Sequence, residues 1–209
     1  MCGGGNFRML FLKIVNSIVQ IIIFSLIPFI WWFIHSRNEV NFLDWIGLRK
    51  IENKRKGKFI IWMAIVTVVF MILGVFNLYM LRGVEMTTSE FSAQGIKAIP
   101  SILIYSIFNT ALPEELLFRG FILKRLCSKF GFNNSNIIQS ILFGLMHGIL
   151  FFSMIGIVKT IIVIVSTSTI GWMMGYINEN KANGSIIPSW IIHSIENIFS
   201  GLCAAFLLI

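Results

Sequence analysis

Charged residues are scarce in this chain of 209 residues, of which Asp, Glu, Lys and Arg together make up 12%. Soluble domains carry roughly 25% of such residues. Several apolar runs also reach the ~20 residues that a helix needs to cross a bilayer. The shortage of charge therefore excludes an ordinary soluble domain. It predicts an all-α fold, a polytopic membrane bundle of about six transmembrane helices.

Motifs for disulfides, metals and nucleic acids are also missing. The three cysteines, Cys2, Cys127 and Cys203, are scattered and form no CxxC pair, which excludes a disulfide framework and a cysteine zinc site. The net charge of +8 accompanies no nucleic-acid motif, so no nucleic-acid partner is expected. Inverted repeats, which many secondary transporters contain, are absent, and this disfavours a proton-coupled transporter.

Six apolar runs predict the helices, at 10–34, 59–81, 97–127, 134–152, 155–178 and 185–208. No internal repeat or low-complexity linker separates them, so residues 1–209 are predicted to form a single membrane domain. Residues 1–94 supply two N-terminal helices and a basic loop. Residues 95–209 carry the candidate chemistry.

The basic residues indicate an orientation. Of the 17 Lys and Arg residues, twelve lie on one side of the predicted bundle, in the loop 37–58 and near the ends of the third and fifth helices. The other five are Arg8, Lys13, Arg82, Lys97 and Lys159. The positive-inside rule makes the twelve-residue side cytoplasmic and places both termini outside. Membrane lipids are expected partners, and the cell membrane is the expected location.

The stretch PEELLFRG, Pro113 to Gly120, places two carboxylates and a guanidinium in apolar surroundings. Ionisable residues inside a membrane are rare and indicate function. Glu115 and Arg119 are four residues apart and are predicted to pair on one helical face. Glu114 is rotated by about 100° from Glu115, which leaves it without a local partner. We therefore predict a structural carboxylate in Glu115 and a reactive one in Glu114.

Two histidines lie inside predicted helices, each with a partner four residues away: FGLMH (143–147) and HSIEN (193–197). If the helices converge, Glu114 can take a proton from water while His147 holds that water. His193 and Asn197 can stabilise the oxyanion that peptide hydrolysis forms. Simple polar packing is the alternative for each residue. Glu196 is predicted to be a polar contact or to face water.

Taken together, EELLFR (114–119), FGLMH (143–147) and HSIEN (193–197) resemble the EExxxR, FxxxH and HxxxN motifs of one family. It is the CAAX-protease and bacteriocin-processing family, also called CPBP or Abi, and the resemblance covers about 95–205. It implies an intramembrane endopeptidase that hydrolyses a peptide bond near the cytoplasmic face. A non-catalytic bacteriocin self-immunity or membrane scaffold protein is the alternative.

The resemblance assigns catalysis to four residues and support to three. The catalytic residues are Glu114 as general base, His147 as the water-orienting group, and His193 and Asn197 as oxyanion contacts. The supporting residues are the ion pair of Glu115 and Arg119 and the packing residue Phe143.

A glutamate-dependent mechanism without a cofactor is favoured, and zinc is the alternative because the family was long described as metalloproteases. Zinc hydrolases usually present three protein ligands, and here these would be Glu114, His147 and His193. Asn197 is a poor zinc ligand, and no HExxH motif is present. The frequent Ile, Phe and Asn residues indicate a low-GC prokaryote, where prenylated CAAX proteins are not expected. A membrane-associated peptide or protein is therefore the predicted substrate.

Overall fold

The computed structural model describes residues 4–51 and 56–208. Within these ranges the chain is built from helices and contains no strand, so the predicted all-α class is confirmed. Cys2, Lys54 and Arg55, which the sequence analysis counted, lie outside the described residues.

The N-terminal part contains helices α1 (Gly4–His35), α2 (Phe42–Ile46) and α3 (Lys56–Met80). The short helix α2 was not predicted, because five residues are too few to show an apolar period. It begins after Asn41, whose side chain accepts a hydrogen bond from the Asp44 N–H at 3.0 Å, a normal N-cap. The loop 37–58, predicted only as a basic connection, thus contributes a short helix that buries Trp45 and Ile46 in the bundle.

The motif PEELLFRG lies in one continuous helical path, α4, which covers residues 99–130. Two stretches within it have π-type hydrogen bonding, Tyr105–Ala111 and Leu116–Leu123. Proline provides no N–H and crowds the carbonyl four residues earlier. The π-type stretches on either side of Pro113 let the helix continue through it, and such stretches are frequent at functional sites.

Two glycines divide the helical segment Lys124–Lys181. Gly131 (φ 70°) and Gly156 (φ 74°) have non-helical backbone angles that glycine adopts readily. They separate α4 from α5 (132–155) and α5 from α6 (157–181). The last helix, α7 (Ile187–Ala205), has Pro188 in its first turn. All six long helices lie within a few residues of the predicted apolar runs, except that α1 already begins at Gly4.

Three stretches are long and apolar enough to cross a membrane: Arg8–His35, Gly57–Met80 and Gly95–Lys181. The third covers α4, α5 and α6 together. Helix α7 lies outside these stretches, since its polar side chains lower its mean hydropathy. The chain is therefore a helical membrane bundle. The number of six crossings stays a prediction.

The two ends of the bundle differ in charge. At one end, the Ile186 N–H donates to the carbonyl oxygen of Gly47 at 2.9 Å, and Lys124 lies against Gly47. This is the basic end, which collects the basic loop and the end of α4. At the opposite end, Lys159 Nζ donates to the carbonyl oxygen of Met80 at 3.1 Å. Which end faces the cytoplasm stays a prediction.

A buried cluster drawn from α3, α4, α5, α6 and α7 surrounds the candidate residues. Its members are Val66, Phe70, Phe118, Phe143, Ile170, Met174, Ile177 and Ile192. The rings of Phe118 and Phe143 meet edge to face at 5.0 Å. Close packing and hydrogen bonds, rather than water exclusion, hold helices together inside a membrane. The cluster therefore fixes how the five helices are placed relative to one another.

Candidate active site

Glu115 is the centre of a buried hydrogen-bond network. Arg119 Nη1 donates to its Oε1 at 3.0 Å, and neither side chain is exposed. His193 Nδ1 donates to the same oxygen at 3.0 Å, and Ser189 Oγ donates to Oε2 at 2.5 Å. A buried charge is costly unless it is paired and hydrogen-bonded, and these three donors meet that requirement. The expected pair of Glu115 and Arg119 is present, and Glu115 also orients His193.

The guanidinium of Arg119 stacks on an aromatic ring. Its Cζ lies 4.1 Å from the centre of the Phe143 ring, a cation–π contact that strengthens when water is excluded. The same ring lies 4.6 Å from the ring of His147 and 6.1 Å from that of His193. Arg119 was counted among the twelve basic residues that set the orientation, but it is an internal residue of the site. The excess of basic residues at the basic end remains without it.

Glu114 faces both histidines. Its Oε2 lies 3.8 Å from His147 Nε2 and 3.8 Å from His193 Nε2. This oxygen is buried and has no hydrogen-bond partner among the described residues. His147 Nδ1 lies 2.9 Å from the carbonyl oxygen of Phe143, which can only accept, so Nδ1 carries a proton and Nε2 is directed at Glu114. Separations of this length suit a bridging water better than a direct hydrogen bond.

Asn197 contacts a residue that the sequence analysis did not name. Its Nδ2 donates to Thr110 Oγ1 at 2.7 Å, which ties α7 to α4 one turn before Glu114. Thr110 Oγ1 in turn lies 3.2 Å from the carbonyl oxygen of Tyr105. His193 and Asn197 lie on one helical face as predicted, yet each is held by a different neighbour on α4.

Ser189, Thr110 and Asn178 also hold the site and were missed. Ser189 precedes His193 by four residues, and Thr110 precedes Glu114 by four, so helical spacing could have identified both. Asn178 Nδ2 donates to Ser189 Oγ at 2.7 Å, and its Oδ1 accepts from the Ser189 N–H at 3.2 Å. In the sequence, Asn178 differs from its surroundings only as an amide side chain within an apolar predicted helix.

A cavity of about 160 Å³ adjoins these residues. His147, His193 and Asn197 line it, and Leu81 and Met86 line its far part toward the opposite end. Glu114 does not line the cavity, because the rings of His147 and His193 lie between its carboxylate and the cavity. The cavity therefore extends away from the basic end.

Residues 96–199 match the family model described as type II CAAX prenyl endopeptidase Rce1-like. This segment contains Glu114, His147 and the pair of His193 and Asn197. The chain belongs to this family. The match confirms the CAAX-protease family that the three motifs predicted. No curated protein and no solved structure matches the chain.

Membership of the Rce1-like family makes the chain a CAAX-type intramembrane endopeptidase, a protease of a peptide or protein substrate. The helices that are long and apolar enough to span a bilayer agree with a multi-pass membrane protein.

The arrangement of His and Glu side chains in the site bears on zinc binding. Among residues 4–51 and 56–208, no group of three or more His, Cys, Asp or Glu side chains is arranged to hold a metal ion. The Nε2 atoms of His147 and His193 lie 3.8 Å from Glu114 Oε2, whereas ligands at zinc distances of about 2.0–2.2 Å lie closer together. The three side chains as placed do not fit zinc, so no step of the reaction is assigned to a metal.

Proposed function

We propose that this Rce1-like endopeptidase hydrolyses a peptide bond of a membrane-associated peptide or protein, with Glu114 as general base and without a metal. The observation that supports it is the position of Glu114 Oε2. This oxygen is buried, accepts no hydrogen bond from the part of the chain that the structure describes, and lies 3.8 Å from the Nε2 atoms of both His147 and His193. A water between Glu114 and His147 can lie about 2.8 Å from each.

The first step is the attack of that water on the scissile carbonyl carbon. Because Nδ1 of His147 donates to the Phe143 carbonyl, its Nε2 in the neutral ring is an acceptor. The water donates one hydrogen to His147 Nε2 and the other to Glu114 Oε2. Its lone pairs then point away from both acceptors and toward the substrate. Glu114 takes a proton as the new C–O bond forms.

The second step is stabilisation of the oxyanion and loss of the amine. The amide of Asn197 has two N–H donors, of which one bonds Thr110, so the other can serve the oxyanion. His193 can donate from Nε2 when both ring nitrogens carry protons, since Nδ1 is held by Glu115. Glu114 then passes its proton to the leaving nitrogen as the C–N bond breaks.

The position of cleavage near the cytoplasmic face stays a prediction. It rests on the excess of Lys and Arg at the basic end. The cavity extends from His147 toward Leu81 and Met86 at the opposite end. The two observations point to different faces of the membrane, and cysteine labelling in intact cells distinguishes them.

The substitution Glu114→Gln tests the proposal, because it keeps the shape of the side chain and removes the base. We expect cleavage to fall by at least about 100-fold, the usual contribution of general acid–base catalysis. The assay compares membrane proteomes of cells that produce the wild type or the variant. Glu39→Gln, at an exposed position, is the matched control.

Two results would contradict the proposal. Unchanged proteolysis in the Glu114→Gln variant would show that Glu114 is not the general base. Loss of activity on treatment with a metal chelator, restored by added zinc, would show a metal-dependent enzyme instead. If the protein protects cells from a bacteriocin and this protection survives both Glu114→Gln and His147→Ala, the result would favour a non-catalytic immunity or scaffold protein.

A further inference from the structure

Glu196 brings a third carboxylate to the cavity, and the proposed reaction does not use it. It lines the same cavity as His147 and His193 and is partly buried. Among the described residues, Glu196 has neither a hydrogen bond nor an ion pair with a neighbour. A partly buried carboxylate that accepts no hydrogen bond is unfavourable, and its position in the cavity wall indicates a function.

The opposite wall is shaped to admit this side chain. A Cβ built on Gly74 of α3 would lie 2.5 Å from Glu196 Oε1 and 3.3 Å from its Cδ. The α3 backbone can approach the carboxylate this closely only because residue 74 is glycine. The carboxylate of Glu196 therefore lies across the cavity, between α7 and α3.

Carboxylates outnumber cationic groups around the cavity. Among the described residues its lining includes Glu196 and no Lys or Arg, a second carboxylate, Glu114, lies behind the histidine rings, and His193 is the lining residue that the proposed reaction uses as a cation. Most of the remaining lining is apolar, with Phe70, Leu78 and Phe151 among it. Attraction between opposite charges is stronger in such surroundings than in water. A cation that enters the cavity is therefore favoured over an anion, and unlike an apolar group it can donate hydrogen bonds to Glu196.

We propose that Glu196 is a specificity-determining residue that binds a Lys or Arg side chain of the substrate, close to the scissile bond. This inference rests on the proposed function, because it takes the cavity beside His147 as the substrate site. It defines the substrate class as a membrane-associated peptide with a basic residue near the cleaved bond. The substrate's ammonium or guanidinium supplies the hydrogen bonds that Glu196 lacks.

The test measures binding separately from cleavage. The Glu114→Gln protein, which should not cleave, is placed in lipid nanodiscs with fluorescent apolar peptides of about 20 residues, long enough to span a bilayer. The peptides form matched pairs that carry Lys or Met at one position, and that position is moved along the central part. We expect one position at which the Lys peptide binds about tenfold more tightly, the effect of one hydrogen bond to a charged group.

Variants then assign the preference to Glu196. The double variant Glu114→Gln/Glu196→Gln should lose the preference for Lys, and Glu114→Gln/Glu39→Gln should keep it. Gly74→Ala in the Glu114→Gln background leaves the carboxylate in the protein but displaces it, and should weaken the preference. Equal binding of the Lys and Met peptides at every position, or a preference that persists without Glu196, would overturn the inference.

Cleavage assays with Glu196→Gln in an otherwise wild-type enzyme distinguish a role in substrate selection from a role in the chemical step. With Glu196→Gln we expect kcat/KM to fall about tenfold for the Lys peptide and to stay unchanged for the Met peptide. An equal fall in kcat for both peptides would make Glu196 part of the chemistry and refute a role in selection. Binding that prefers Lys without any cleavage by the wild type would leave this inference standing and refute the proposed function.

Discussion

Replacing Arg119 with Met tests how strongly the buried ion pair supports the site. Arg119 and Glu115 have no exposed side-chain surface, and Arg119 Nη1 is 3.0 Å from Glu115 Oε1. The Met side chain retains most of the apolar stem but removes the charge and the donor. Glu115 then keeps its contacts with Ser189 and His193 only. Removal of one partner of a buried pair destabilises a protein by about 3–5 kcal/mol.

The assay is unfolding of the purified protein by titration with SDS, with peptide cleavage measured in parallel. The double variant Glu115→Gln/Arg119→Met should recover most of the lost stability, because neither member of the buried pair then carries a charge and Gln can still accept from His193. Lys124→Met is the matched control: Lys124 lies 2.9 Å from Glu179, but both side chains keep some exposure. Its loss should be about 1–2 kcal/mol.

The reasoning fails if Arg119→Met lowers the free energy of unfolding by less than about 1 kcal/mol, the value for an exposed pair. It also fails if the double variant is no more stable than Arg119→Met. Full cleavage activity in the double variant would show that the charge on Glu115 is unnecessary for orienting His193.

Two further predictions concern Asn197 and the orientation of the chain. Thr110→Val removes the hydroxyl that accepts from Asn197 at nearly constant volume. We expect kcat to fall by about 10- to 100-fold with little change in KM, because Asn197 is no longer positioned to donate to the oxyanion. An unchanged kcat would exclude this role. In a variant without native cysteines, Met86→Cys should react with a membrane-impermeant reagent in intact cells and Arg37→Cys only after permeabilisation, as the positive-inside rule requires. The reverse labelling would place the mouth of the cavity at the cytoplasmic face and contradict that rule for this chain.

The helices could be predicted closely because long apolar runs and helix-breaking residues are local properties. The break at Gly131 falls within the predicted gap 128–133, and the break at Gly156 lies two residues after the predicted gap 153–154, inside the predicted helix 155–178. The short helix α2 could not be predicted, since its stability depends on burial of Trp45 and Ile46 against other helices. Such contacts join residues far apart in sequence, and periodicity does not report them.

The candidate site was predicted in part. Spacing of four residues showed that Glu115 can pair with Arg119, because both side chains belong to the same helix. Such spacing does not report how one helix is rotated relative to another. For this reason the bonds from Asn197 to Thr110 and from Ser189 to Glu115 appear only in the structure. The position of Glu196 against Gly74 was hidden for the same reason.

The network around Glu115 has a consequence for how the protein is made. Its parts come from α4, from α6 through Asn178, and from α7 through Ser189 and His193. Chains are synthesised from the N-terminus, so α4 enters the membrane before its partners on α7 exist. If the proposed reaction is correct, hydrolysis begins only when α7 is in place. A chain that stops before α7 would then be an inert fragment, and an unfinished enzyme would not cleave the membrane proteins that surround it.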